Sequence, residues 1–200
     1  MTRLSYTKAL DNLLLPLGFT REKSFWSRVS GEILEQFDLQ KDWVDGAVTV
    51  NLWAKNIVTE RIIKSIPCKD TLGIVQTGQR IGRIVDGPNN LDRWWKNDPG
   101  GPAEVAGLVR DHGLAWFGKV TTLEEQARHW YGPSRGTWKD GNLAALVVTL
   151  YRLGKLDEAL ALFDEPIPRT AFPVMIENAR CVQRWLEDQK RQRAASAPLP

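Results

Sequence analysis

The side chains with the most chemistry to offer stand at alternate positions in short runs of the chain. In EILEQFDLQKDW, Gln36, Asp38 and Gln40 alternate with Ile33, Phe37 and Leu39; in AVTVNLWAK, Thr49, Asn51 and Trp53 alternate with Val48, Val50 and Leu52. An extended chain sends successive side chains to opposite faces, so each run has one apolar face and one face of amides, carboxylate and indole. The run SFWSRVS alternates as well, and is read with Phe25, Ser27 and Val29 inward and Trp26 and Arg28 on the polar side. Arg80 or Arg83 would join that face from a fourth strand. Amides and guanidinium groups set among indoles supply fixed donors, acceptors and flat stacking surfaces, which suit a small polar ligand or a nucleobase. The same face also suits simple solvation, or cover by later helices that satisfy its hydrogen bonds. Trp94 and Trp95 follow a Pro-Asn-Asn turn. Neighbours on an extended chain point to opposite sides, and in a helical turn they diverge by about 100°. The pair is therefore expected to divide its roles, with Trp95 in the core and Trp94 on the surface beside Arg93 and the polar face. The binding candidates are Gln36, Asp38, Gln40, Asn51, Trp53, Arg80, Arg83 and Trp94.

Bond-breaking chemistry needs other groupings. The histidines, His112 and His129, are separated by a whole predicted helix connection and have no clustered Cys, Asp or Glu at ligand spacing, so no metal site is assigned. No GxSxG or equivalent nucleophile motif occurs, so no catalytic residue is assigned, although either histidine has the chemistry of a general base. The glycines of GIVQTGQRIGRIVDG end in no Gly-Lys-Ser/Thr and form no GxGxxG; they read as a bulge or a close backbone approach within a strand, and no cofactor is implied. Cys68 and Cys181 stand far apart in sequence and are read as inert thiols in a reducing cytoplasm rather than as a disulfide.

The elements that would position these residues follow from periodicity. LSYTKALDNLLLPLGF spaces its leucines as an amphipathic helix closed by Gly18, not as a signal peptide or membrane span. The alternating runs make strands joined by turns at Ser30-Gly31 and Asp45-Gly46. A helix at about Val58 to Ile66 ends before Pro67, and GIVQTGQRIGRIV reads as the fourth strand. The expectation is an α+β fold: a four-stranded, mainly antiparallel sheet with an N-terminal helix, followed by a C-terminal helical bundle. Helices are expected at Ala103 to His112, Leu123 to Tyr131, Asn142 to Leu153, Leu156 to Phe163 and Phe172 to Arg193, with YGPSRGTWKDGN as a loop. The organisation reads as a sheet domain over 1–118, a helical region over 119–193 packed on it, and a flexible tail over 194–200.

The 200-residue chain is long enough to bury a sizeable core. At 42% hydrophobic and 26% charged it is neither disordered nor membrane-like, and 27 basic against 24 acidic residues is too even a balance to signal nucleic-acid binding by itself. Nine tryptophans are more than a core of this size needs.

From Leu14 to Phe117, the succession LGFTREKSFWSR, LQKDW, VTVNLWA, RIGRIV, DRWW and VRDHGLAWF resembles a bacterial family catalogued as domain of unknown function 4304. The resemblance implies a compact α+β fold and carries no activity or catalytic residue with it. NLAALVVTLYRLGKLDEALALFDE resembles one helical hairpin of a tetratricopeptide repeat, with Leu143, Leu146, Leu150, Gly154, Ala159 and Phe163 at the repeat's large, turn, small and aromatic positions. Without a second copy, such a hairpin is a packing unit and not a peptide-binding superhelix.

These readings favour a non-enzymatic, cytoplasmic binding module that recognises a protein partner, for example in bacterial conflict or regulation, because Trp and Arg are favoured interface anchors. The alternative is a nucleic-acid-associated protein using the Trp- and Arg-bearing sheet face and the basic end of the last helix, RWLEDQKRQR. The oligomeric state is left open.

Overall fold

A computed structural model of the protein describes residues 5–68, 72, 76–87, 93–96, 99–130, 143–164 and 172–196. The chain divides into two compact units: Met1–Asn56 with Gln76–Thr121, and Ile57–Val75 with Thr122–Pro200. It leaves the first unit after Asn56 and returns at Gln76.

The first unit opens with helix α1 (Tyr6–Leu14), where Ser5 caps the free end by accepting a 3.1 Å hydrogen bond from the Lys8 amide, and Tyr6, Ala9, Leu10 and Leu14 turn inward. A 3-10 turn, Leu15–Leu17, ends at Gly18 in the left-handed conformation that glycine tolerates best. Strands β1 (Thr20–Glu22), β2 (Phe25–Ser30), β3 (Ile33–Lys41), β4 (Val48–Asn56) and β5 (Thr77–Arg80) form one antiparallel sheet in the order β1-β2-β3-β4-β5. Helices α3 (Ile81–Asp86), α4 (Gly101–Leu108) and α5 (Leu114–Gly118) follow, with the π-helical turn Val109–Gly113 joining the last two. The core lies on one face of the sheet. Trp26, Phe37, Val50 and Leu52 meet Leu10 and Leu14 of α1, Ile81 of α3, Val105 of α4 and Phe117 of α5. The Phe37 and Phe117 rings meet edge to face at 5.2 Å.

The second unit gathers α2 (Ile57–Ser65), α6 (Leu123–Trp130), α7 (Leu143–Arg152), α8 (Leu156–Ala161) and α9 (Pro173–Ala195). Every residue of α7 from Leu143 to Leu150 is buried, so it is the central helix that the others surround. The α7–α8 turn passes through Gly154 at φ 75°, and Ala159 is fully buried. Arg152 at the end of α7 donates to Thr59 Oγ1 of α2 at 2.9 Å. Of the sequence-based helices, α9 runs past Arg193 to Ala195, while the loop YGPSRGTWKDGN lies outside the described residues.

Four expectations are corrected. The sheet has five strands among the described residues, not four. The additional one, β1, is three exposed residues with no apolar member, so it has no hydrophobic alternation to reveal it. The segment read as one glycine-interrupted strand is, among the described residues, a strand over Thr77–Arg80 and a helix over Ile81–Asp86. Ile81, Ile84 and Val85 stand at helical spacing and pack together into the core, which outweighs the strand reading. Strand β2 faces the other way: Trp26 pairs with Phe37 and is fully buried, while Phe25 and Val29 are 38% and 61% exposed. The Trp26 indole N–H donates to Asp11 Oδ1 at 2.9 Å, and Arg28 pairs with the buried Glu35 at 2.7 Å, so that the polar groups sent to the core side are bonded there. Finally, Cys68 and Cys181 form a disulfide, with Cα atoms 5.8 Å apart. A separation of 113 residues in sequence is no separation in space, since the chain after α2 and the middle of α9 belong to one packed cluster. The cysteine argument for a reducing compartment falls with that correction. No helix among the described residues is long and apolar enough to cross a membrane.

Candidate functional site

The register of β3, β4 and β5 builds the site. Asn51 stands opposite Asp38 on one side and Arg80 on the other, Trp53 opposite Gln36 and Gly78, and Thr49 opposite Gln40. Because Val50 and Leu52 point into the core, Thr49, Asn51 and Trp53 point to the opposite face. There a cleft of about 460 Å³ is lined by Gln40, Asn51 and Trp53, by Gly78, Gln79 and Arg80 of β5, and by Arg83 of α3.

Hydrogen bonds fix its floor. The Asn51 side-chain amide donates to Gln40 Oε1 at 3.0 Å and to Asp38 Oδ2 at 3.2 Å, and Ser24 Oγ donates to Asp38 Oδ1 at 3.3 Å. Both Asp38 oxygens are thereby engaged, and the nearly buried Asn51 is held in one orientation. The Trp53 ring is held by a glycine. A Cβ built on Gly78 would fall 2.1 Å from Trp53 Cζ3 and 2.2 Å from Cε3, so the benzene half of the indole lies over the bare Cα of Gly78. This is the close backbone approach that the sequence reading assigned to the glycines of this segment.

The tryptophan pair divides as expected. Trp95 makes an antiparallel bridge to Val48, exchanging backbone hydrogen bonds of 2.8 and 2.9 Å, and it is 5% exposed in the core. The neighbouring Trp94 is half-buried with the Arg80 guanidinium 5.6 Å from its ring centre. Arg93 sits 5.1 Å from the Trp95 ring centre and is also paired with Glu104. The Trp95 indole N–H is buried with no hydrogen-bond partner among the described residues.

Of the candidates read from the sequence, Gln40, Asn51, Trp53, Arg80 and Arg83 line the cleft together. Asp38 supports it through Asn51, Trp94 lies under Arg80, and Gln36 is opposite Trp53 but outside the lining. Arg83 reaches it from a helix, not from a strand. Gln79 and Gly78 were missed. For Gly78 the signal was present, a glycine across from a large aromatic in a neighbouring strand, but it needs the register to be read. Chemically, the lining offers two guanidiniums, amides and an indole and, among the described residues, no carboxylate, thiol or imidazole. His112 is exposed in the π-helical turn, and the His129 ring packs against Trp130 in the second unit.

An antiparallel sheet with helices on one face and a recess of about 460 Å³ on the other makes the first unit an α+β domain. Over residues 10–119 the chain matches the family described as domain of unknown function (DUF4304), and it belongs to that family. No curated protein and no solved structure matches it.

Proposed function

We propose that this chain is a non-catalytic recognition module and that the cleft over β3, β4 and β5 is its binding site for an anionic group of a partner. The observation that carries this reading is the lining itself: two arginines and, among the described residues, no carboxylate around a recess of about 460 Å³. Guanidinium groups bind carboxylate and phosphate through paired N–H donors, so the recess suits an anion. That the partner is a protein, in conflict or regulation, draws support from the β3–β4 turn. Trp43 and Val44 there are 93% and 72% exposed, and the turn is held by Asp42 and Asp45 oxygens accepting from the Val44 and Ala47 amides at 2.9 Å each. A large apolar side chain on an ordered turn is a typical anchor at a protein interface.

A nucleic-acid reading is favoured by a different observation, two indoles near one cation: Trp53 lines the cleft with Arg80, and the Arg80 guanidinium lies 5.6 Å from the Trp94 ring centre. Fluorescence anisotropy with a labelled Glu-rich peptide and a labelled oligothymidylate, each titrated across salt, tests the proposal. Binding of an anionic probe that Arg83→Gln weakens is expected. A protein that holds neither probe at low salt would remove the cleft as a recognition site.

A further inference from the structure

Resting on the cleft as the binding site and developing its nucleic-acid reading, we infer that what enters is a single nucleotide: a base stacked on Trp53 with its phosphate turned toward Arg80 and Arg83. The recess, at about 460 Å³, is of the size that holds small molecules and is too small for a folded segment of a partner. Its floor explains the base. The benzene half of the Trp53 indole is seated against the bare Cα of Gly78, and a fixed aromatic surface stacks any planar ring. The neighbouring amides explain the edge. Asn51 spends its N–H groups on Asp38 and Gln40, and Gln40 uses its carbonyl to receive one of them. That leaves the Asn51 carbonyl as an acceptor beside the Gln40 amide as a donor, the paired pattern that reads the edge of a base.

The cations explain the phosphate. The Arg83 guanidinium makes no hydrogen bond or ion pair with any described residue, while the Arg80 guanidinium is positioned over the Trp94 ring. Asp38, the carboxylate of this hydrogen-bond network, has both oxygens occupied by Ser24 and Asn51 and is not among the lining residues. A plain acidic side chain would use the arginines alone and leave the indole and the amide pair without a role. A nucleotide uses every one of them. The same chemistry has two sources, a free mononucleotide and an exposed nucleotide of a single strand.

Calorimetry and tryptophan fluorescence on the full chain distinguish them, with nucleoside 5′-monophosphates, short single-stranded oligonucleotides, ribose 5-phosphate and a Glu-rich peptide as probes. One-to-one binding of a monophosphate with indole quenching is expected for the free source, and binding of oligonucleotides alone for the strand. In either case Arg83→Gln and Trp53→Leu each weaken binding by about tenfold. Trp53→Phe, which keeps a stacking ring, stays within a few-fold of the parent protein. If Trp53→Leu lowers the melting temperature, Arg83→Gln and Trp53→Phe still carry the test, because neither empties the floor of the cleft. Ribose 5-phosphate binding as tightly as the nucleotides overturns the inference. So does Arg83-dependent binding of the Glu-rich peptide when nucleotides and strands fail, which leaves the recognition module standing. Failure of every anionic probe removes both.

Discussion

Gly78→Ala tests the geometry of the cleft with a single methyl group. The new Cβ would lie 2.1 Å from Trp53 Cζ3, where ordinary contact begins at 3.4 Å. Strand β5 and the indole must therefore separate by about 1 Å or more, forfeiting much of their dispersion attraction. Gly78 has no positive φ, so alanine meets no backbone strain there and the whole effect is steric. Overpacking of this kind costs about 1–3 kcal/mol. Replacing glycine also removes freedom from the unfolded chain, which returns about 0.4–1 kcal/mol. The steric cost is the larger, and a net loss of about 1–2 kcal/mol is expected. Because the two units need not unfold together, hydrogen exchange of the β4 and β5 amides is a better measure than a bulk melt. A double-mutant cycle completes the assay. In a Trp53→Ala background the clash is gone, and Gly78→Ala should be neutral or slightly stabilising. Equal cost in both backgrounds, or no cost in the parent protein, would refute the idea that Gly78 seats the indole.

The remaining expectations are simpler. Trp95→Ala should cost about 3–5 kcal/mol by leaving a large cavity, whereas Trp94→Ala, losing a half-buried ring, should cost clearly less; similar losses for both in urea melts would contradict the divided roles. Trp95→Phe should cost less than the volume change implies, since it deletes an unpartnered buried N–H, and a loss as large as that of Trp95→Ala would count against this. Cys181→Ser opens a disulfide spanning 113 residues and should lower the stability of the second unit by up to about 4–5 kcal/mol; amide exchange in α7 and α9 should rise while that in β3 and β4 is unchanged.

Much of the sheet was legible because β3 and β4 alternate cleanly, and the site followed from that alternation: Gln40, Asn51 and Trp53 share a face for the same reason that Val50 and Leu52 share the other. Strand β2 misled because each of its faces carries an aromatic ring, and the face with Phe25 and Val29 is the more apolar while Trp26 shares its face with Arg28. Only Asp11, an acceptor for the Trp26 indole reached across fifteen positions of chain, decides which face can be buried. The switch from strand to helix at Ile81 was hidden by length, since a four-residue strand and a six-residue helix each show no more than two periods. The disulfide was illegible in principle. Nothing local tells Cys68 that Cys181 lies beside it, and compartment arguments from cysteine count are statistical.

The excursion of α2 has a consequence for the order in which the protein can be made. Helix α2 leaves the ribosome between β4 and β5, but the residues that bury its Ile63 and Ile66 lie in α6 to α9, from Leu123 onward. At about 5–20 residues per second, that apolar stripe waits several seconds without its partners while the strands before and after it in sequence are already able to pair. Cys68 waits longer still, since its thiol partner at Cys181 emerges 113 residues later. A polypeptide stopped at the end of the family match, residue 119, would carry α2 with its apolar face bare and its cysteine unpaired. Aggregation of such a truncated chain would then reflect one orphaned helix, not an unstable sheet.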